Sequence, residues 1–293
     1  MNILVDIGHP AHVHFFRNAI QQWKTLGHNV RITSRSIATA QRLLEAYSLS
    51  HEIVSRKRGG TVGLSIELIE HSLRLLPRLK RWKIDVCISI GGTFTVFAGS
   101  LAGCRNVVFL DTETAKTANR ITLPFADIVY TSENYPCDLG VKQVRYAGFH
   151  EFAYLHPDYF APSPEILPKY RLSPDEPFSI VRFISWEASH DIGVNPASRE
   201  QKEHLVRKLE AIGRVCLIPE KTVHSDLRKY ILEIDPEDFH ALLHYAHCCV
   251  TEGATTAAEA AFLNTPTLYI NPVAPAITRA IAEQTMLYLA DPE

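Results

Sequence analysis

Residues 251–270 read TEGATTAAEAAFLNTPTLYI, and this stretch decides how the rest of the chain is parsed. An apolar run, Cys248 to Thr251, ends at Glu252 and Gly253; small residues Ala254, Thr255 and Thr256 open a helix over 255–264; after Asn264 and Pro266 a second apolar run spans Thr267 to Ile270. Strand, turn, helix and strand in that order make a crossover unit, the connection that parallel strands require. At the head of such a helix the exposed amides and the positive end of the peptide dipole favour phosphate, and glycine lets a backbone approach a ligand closely. Glu259 lies six residues beyond Gly253, more than one turn into the helix. A carboxylate there can accept the hydroxyls of a ribose whose pyrophosphate rests on the turn. The plainer alternative makes Glu259 an exposed helix residue and Thr255 and Thr256 caps.

Outward from this unit the alternation continues. Upstream lie strands at Ser179 to Ile184 and Val215 to Ile218, with helices within 199–211 and 238–246. The first half repeats the pattern: strands at Ile3 to Val5, Val30 to Thr33, Asp85 to Ile90 and Val107 to Leu110, and helical stretches at 12–26, 37–47 and 61–82. Between them, six of the seventeen prolines fall in 157–177, a density that suits a connection rather than regular helix or sheet. The expected class is α/β with two Rossmann-like, doubly wound parallel sheets facing a cleft: residues 1–156, a linker at 157–177, and 178–293. The last residues, ADPE, read as a loop leading toward a further helix, so the second domain is expected to be truncated.

With 293 residues, 46% hydrophobic, the chain can bury two cores. A formal charge of -2 and a pI near 6.7 provide no global positive field, which argues against nucleic acid as partner. Six scattered cysteines without a CxxC pair fit a reducing cytoplasm. MNILVDIG reads as a first core strand rather than a signal peptide, and no apolar run approaches the roughly 20 residues that span a bilayer. Membrane contact would therefore be peripheral. The basic stretch HSLRLLPRLKRWK, 71–83, preceded by Arg56, Lys57 and Arg58, could rest on anionic lipid, although such a run is more often a solvated helix face.

Five further loops follow strands, where ligands of open α/β sheets gather. DIGHPAHVHFFRNAI, 6–20, holds His9, His12 and His14; His12, by its intrinsic pKa, is the candidate base for an acceptor hydroxyl. Three histidines also invite a metal, but a run that bends from loop to helix does not show three imidazoles on one face, and none is assigned. ISIGGTFTVFAGSLAG, 88–103, carries Gly91, Gly92 and Thr93 in a strand-to-helix turn expected on the acceptor side. LDTETAKTANR, 110–120, holds Asp111 and Glu113, either of which could act as base in place of His12, although a cap is the simpler role for Asp111. FISWEASHD, 183–191, and IPEK, 218–221, place Ser185, Trp186 and Lys221 near a diphosphate or sugar.

GATTAAEAAFLNTPTLYI is similar, without a gap, to the corresponding stretch of the peptidoglycan N-acetylglucosaminyltransferases and resembles that of the non-hydrolysing UDP-N-acetylglucosamine 2-epimerases. That resemblance implies a GT-B fold in which Gly253, Ala254 and Thr255 take the diphosphate, with Thr256 beside them, and Glu259 takes the ribose. It places His12 at the end of the first loop, Gly91, Gly92 and Thr93 beside the acceptor, and Asn119 with Arg120 at a family Asn-Arg pair. Ile234 falls near the segment that grips uracil through its backbone. His9 and Pro10 replace two glycines of the family loop. The 2-epimerases carry a proton-abstracting aspartate where this chain has Gly92. Over nearly its whole length, through DIGHPAHVHFF and TEGATTAAEAA, the chain looks like a domain-of-unknown-function family of predicted glycosyltransferases from archaea and bacteria. The resemblance implies a glycosyltransferase moving a sugar from a nucleotide sugar, UDP-linked by preference, to a hydroxyl acceptor, lipid-linked or glycan, with no cofactor and no metal ion. Sugar-nucleotide epimerisation and non-catalytic binding of a sugar nucleotide are the two alternatives.

Overall fold

Asn2–Ile7 (β1) buries five successive residues, Ile3 to Ile7, the mark of a strand covered on both faces. The computed structural model describes residues 1–183, 197–219 and 225–290; Ser185, Trp186 and Lys221 lie outside the described residues. Two compact units appear, Met1–Tyr159 and Phe160–Glu293.

In the first unit β1 is followed by Pro10–Thr25 (α1), Asn29–Ser36 (β2), Ala38–Ala46 (α2), Glu52–Arg56 (β3), Gly60–Trp82 (α3), Val86–Ile90 (β4), Val96–Ala102 (α4), Arg105–Leu110 (β5), Lys116–Thr122 (α5), Ile128–Ser132 (β6), Gln143–Tyr146 (β7) and Phe152–Leu155 (α6). The seven strands are parallel in the order β3-β2-β1-β4-β5-β6-β7. Alternation along β1 sorts its side chains. Ile3, Val5 and Ile7 join Val13, Phe16 and Ile20 of α1 and Leu43 and Leu44 of α2 on one face. Leu4 joins Leu75 and Leu79 of α3, Cys87 of β4 and Ala98 of α4 on the other. Each buried Leu, Ile or Phe contributes roughly 1.5–3 kcal/mol relative to exposure, and both faces must be covered for β1 to collect it.

The second unit holds Phe178–Arg182 (β8), Arg199–Glu210 (α7), Arg214–Leu217 (β9), Phe239–Tyr245 (α8), Cys248–Thr251 (β10), Ala254–Phe262 (α9), Thr267–Tyr269 (β11), Ala276–Ala282 (α10) and Leu287–Leu289 (β12). Its five strands are parallel in the order β12-β11-β10-β8-β9. Ser198 and Gln201 form a reciprocal capping box that starts α7.

Within the proline-rich stretch, 160–177 belongs to the second unit and contains a 3-10 helix, Pro164–Tyr170, where the sequence suggested no regular helix. Proline at its first turn costs no hydrogen bond, and Leu167 and Tyr170 are buried, the Tyr170 hydroxyl donating to Asp238 at 2.6 Å. The short strands β3, β6, β7 and β12 escaped the sequence reading because three to five residues carry little periodicity. Among the described residues no helix is long and apolar enough to cross a membrane.

Candidate functional site

Strand order reverses direction between β1 and β4 in the first sheet and between β8 and β10 in the second. Ligands of open α/β sheets bind outside the carboxyl ends of strands at such points. Each unit therefore has its own candidate half-site.

In the first unit the chain leaves β1 through Gly8, His9 and Pro10. Pro10 opens α1, where its missing N–H is harmless, and His9 caps the helix by accepting from Ala11 N–H at 3.3 Å. His12 accepts from Gly8 N–H through Nδ1 at 3.2 Å. A neutral imidazole that accepts at Nδ1 carries its proton on Nε2, so His12 presents a donor. Burial, then the neighbouring His9, lower its pKa from 6.5 to about 3; His150 and Arg35 push the same way and Asp6 opposes them. In this arrangement the second ring nitrogen of His12 is a donor and the site disfavours the cation, where the sequence suggested a base. His14 turns inward, stacked on Tyr154 and 3.3 Å from the Tyr47 hydroxyl, so the three histidines do not converge. Among the described residues no three His, Cys, Asp or Glu side chains are placed to share a metal ion.

Beneath this loop lies a buried polar network. Asp6 accepts from Thr33 at 2.6 Å and Thr95 at 2.8 Å, and His71 Nε2 stands 3.4 Å from it. Glu67 takes two bonds from the Arg35 guanidinium, 2.6 and 2.8 Å, and one each from Ser55 and the Arg58 N–H. Ser55 spends its only proton on Glu67, so it accepts from His71 Nδ1–H, a contact of 2.9 Å. Burial pushes the carboxyl groups of Asp6 and Glu67 up, but these donors outweigh it and both lie below the ordinary range. Arg35 also lies over the Phe94 ring, 4.4 Å from its centroid. The sequence reading missed this network entirely, because its members are spread over four strands and helices from residue 6 to residue 95.

After β4, Gly91 and Gly92 both take positive φ, 73° and 67°. A Cβ on Gly92 would stand 2.8 Å from Val108 Cγ2 and 2.9 Å from Thr122 Cγ2. Gly92 is buried, so it packs the turn rather than lining the acceptor side as expected. Gly91 is partly exposed and receives Thr122 Oγ1–H on its carbonyl, and Thr93 Oγ1 lies 3.2 Å from Thr122 Oγ1. Asn119, expected beside the acceptor, is buried and donates to Thr112 O and Tyr135 Oη. Its amide ties the loop after β5 to the segment that follows β6. Glu113 is half-buried in that loop. Burial of Tyr135, followed by Cys137, Glu113 and Asp111, pushes its phenol up to about 12. The sequence reading also missed His150, four residues beyond β7, whose ring packs on Phe15 at 4.6 Å and parallel to Tyr146 at 6.1 Å. Burial lowers the His150 pKa, and Asp111 opposes it. Its Nε2 and the Tyr146 Oη are buried without a hydrogen-bond partner among the described residues.

In the second unit β10 ends at Thr251, whose hydroxyl accepts from Gly253 N–H at 3.0 Å, and α9 starts with no side-chain cap. Gly253 has φ −87°, and a Cβ there would make only ordinary contacts, 3.5 Å to Thr251 and 3.7 Å to Thr256. Neither backbone nor packing demands glycine here. Ala254 and Thr255 are partly exposed, and Thr256 is buried. Ile234 is half-buried in the loop that leads to α8.

A buried ion pair and a buried imidazole–carboxylate contact hold this turn. Lys202 Nζ of α7 lies 2.6 Å from Glu252 and 5.2 Å from the Phe183 ring centroid. Glu252 is further fixed by its own N–H to Arg182 O and by Asn271 Nδ2 donating to its carbonyl. His240 Nε2 of α8 lies 2.9 Å from Glu259. Glu259 is 4% exposed, so the open carboxylate expected from the sequence is a buried one clamped by imidazole. Neither partner was recognised in the sequence. Lys202 carried a signal, since it shares a helical stripe with buried Val206 and Leu209.

Two all-parallel α/β units of this kind, with small-residue turns at their switch points, define a two-domain α/β protein of the GT-B type. The chain belongs to the family described as "Protein of unknown function (DUF354)", whose model matches residues 1–291. An uncharacterized protein of Methanocaldococcus jannaschii is 21% identical over 283 residues, 93% of this chain and 82% of the relative. Among solved structures, S. aureus MnaA in complex with UDP superposes with a TM-score of 0.69 at 15% identity, covering 98% of this chain and 83% of that one. UDP-GlcNAc 2-epimerase of Methanocaldococcus jannaschii gives 0.68 at 12%, covering 99% and 89%. MurG of Acinetobacter baumannii gives 0.54 at 14%, covering 99% and 85%. These likenesses establish the fold.

Proposed function

We propose that this protein is a glycosyltransferase that takes a nucleotide sugar, UDP-linked by preference, on its second unit and transfers the sugar to a hydroxyl acceptor held by the first. The observation that carries the reading is Gly253: the one residue at the head of α9 whose missing side chain serves neither the backbone nor the packing, at the switch point of the sheet. The diphosphate rests on the amides of Ala254, Thr255 and Thr256. Glu259, oriented by His240, accepts from the ribose. As the sugar departs, the diphosphate's growing charge is stabilised by the helix head without a metal ion. Glu113 takes the acceptor proton, and His12 donates through Nε2–H to orient the acceptor or a sugar oxygen. The relatives of known structure that bind UDP or act on UDP-GlcNAc support a uridine donor.

Epimerisation ranks second for a specific reason. Where the 2-epimerases resembled by this sequence carry aspartate, Gly92 is buried at positive φ, and a Cβ would collide with Val108 and Thr122.

Saturation-transfer NMR of the full chain with UDP, UDP-N-acetylglucosamine and other nucleotide sugars tests the donor site; no contact with any of them would end the proposal. Incubation of a bound UDP-sugar in deuterated water separates the two chemistries, because epimerisation through C2 must introduce deuterium and transfer must not.

A further inference from the structure

Helix α3 spans Gly60–Trp82 and buries Glu67, His71, Leu75 and Leu79 against the first sheet. Its opposite side is also apolar. Val62, Ile66, Ile69 and Leu73, spaced i, i+4, i+7 and i+11, form one stripe and are 72, 47, 61 and 68% exposed. Four large aliphatics aligned on one exposed helix face form a contiguous patch of the kind that marks an interaction surface, unlike singly scattered ones.

The surrounding charge selects the occupant. Residues 52–83 contain eight Lys and Arg against three Glu, a net charge of +5, while the whole chain carries -2; the remainder is therefore at -7. Glu67 is spent on buried Arg35. The two surface carboxylates each hold arginines: Glu70 pairs with Arg58 and Arg74, and Glu52 with Arg78 and Arg81. Arg56, Lys57, Lys80 and Lys83 are exposed around both ends of the helix, and Lys80 continues the line of the stripe one turn past Leu76 and Pro77. A second copy docked on this face by a two-fold axis would set these cations against their own kind, whereas an anionic lipid surface neutralises them while its acyl boundary takes the aliphatics.

We propose that the outer face of α3 docks the first unit on an anionic lipid surface, Val62, Ile66, Ile69 and Leu73 entering the headgroup boundary and the basic ends binding lipid phosphate. The stripe and the charge stand apart from any donor chemistry, so this docking does not depend on the proposed function.

The test is sedimentation of the full chain with vesicles of phosphatidylcholine alone and with roughly 30 mol% phosphatidylglycerol, alongside light scattering for oligomeric state. The expected result is binding to the anionic vesicles only, weakened at least about tenfold by the double substitution Ile66→Glu and Ile69→Glu and, separately, by Lys57→Glu with Lys80→Glu. Because all four positions are exposed, circular dichroism should match the parent. Failure of the parent to sediment with anionic vesicles overturns the proposal, as does binding that the glutamate pair leaves unchanged. A dimer in solution that Ile69→Glu dissociates, without lipid binding, assigns the face to a second copy instead.

Discussion

The two switch points solve the same problem with different materials. In the first unit the ground beneath the loop is a buried polar network of Asp6, His71, Glu67 and Arg35, wired through Ser55, Thr33 and Thr95. In the second, each carboxylate has its own clamp: Lys202 on Glu252, His240 on Glu259. A network shares its cost among members and holds several strands and helices in one register. A pair fixes one local turn. The first arrangement suits a rigid floor; the second suits the presentation of helix-head amides that the proposed function requires.

The largest effect that could break this comparison lies in the network. Glu67→Gln leaves the Arg35 cation buried without its carboxylate and should cost about 3–5 kcal/mol of unfolding free energy, read from a denaturant midpoint. A loss under about 1 kcal/mol would mean that Arg35 finds water, and that the floor is not rigid. In the second unit the expectation inverts. Gly253→Val should weaken binding of UDP about 100-fold by titration, some 2.7 kcal/mol, because in the proposed donor site the side chain stands where the phosphate is taken. Thermal stability should move by no more than a few degrees, since the site's φ and its neighbours tolerate a Cβ.

Gly92→Ala offers a control in which glycine serves structure alone. Positive φ and two contacts below 3.0 Å should lower stability by about 1–3 kcal/mol, with UDP affinity unchanged in the fraction that stays folded. Weakened affinity in that variant would erase the contrast drawn between the two glycines.

The last effect is one of pH, a gradual slope rather than the loss of a single contact. In the folded chain His12 binds its proton only near pH 3, while the unfolded chain binds it near 6.5. Throughout that interval the unfolded state holds more protons, so stability falls as pH drops from 6.5 toward 3, by at most about 1.4 kcal/mol per pH unit for this group. Burial of His150 acts in the same direction. His12→Asn should flatten the slope in urea titrations at successive pH values; an unchanged slope would place its origin elsewhere.

The alternation of strand and helix, the two sheets and the small-residue turn after β10 were legible in the sequence, because apolar periodicity and turn chemistry are local and each segment carries its own record. The assignment of single side chains was not. Nothing in DIGHPAHVHFF says that Gly8 N–H reaches back to His12 Nδ1 and leaves it a donor, and nothing near Glu259 names His240, nineteen positions earlier, as its partner. The burial of Gly92 depends on Val108 and Thr122, brought to it from a neighbouring strand and helix. Protonation and accessibility depend on what stands within a few ångströms in space, and only folding brings residues 6, 33, 35, 55, 67, 71 and 95 within that range of one another.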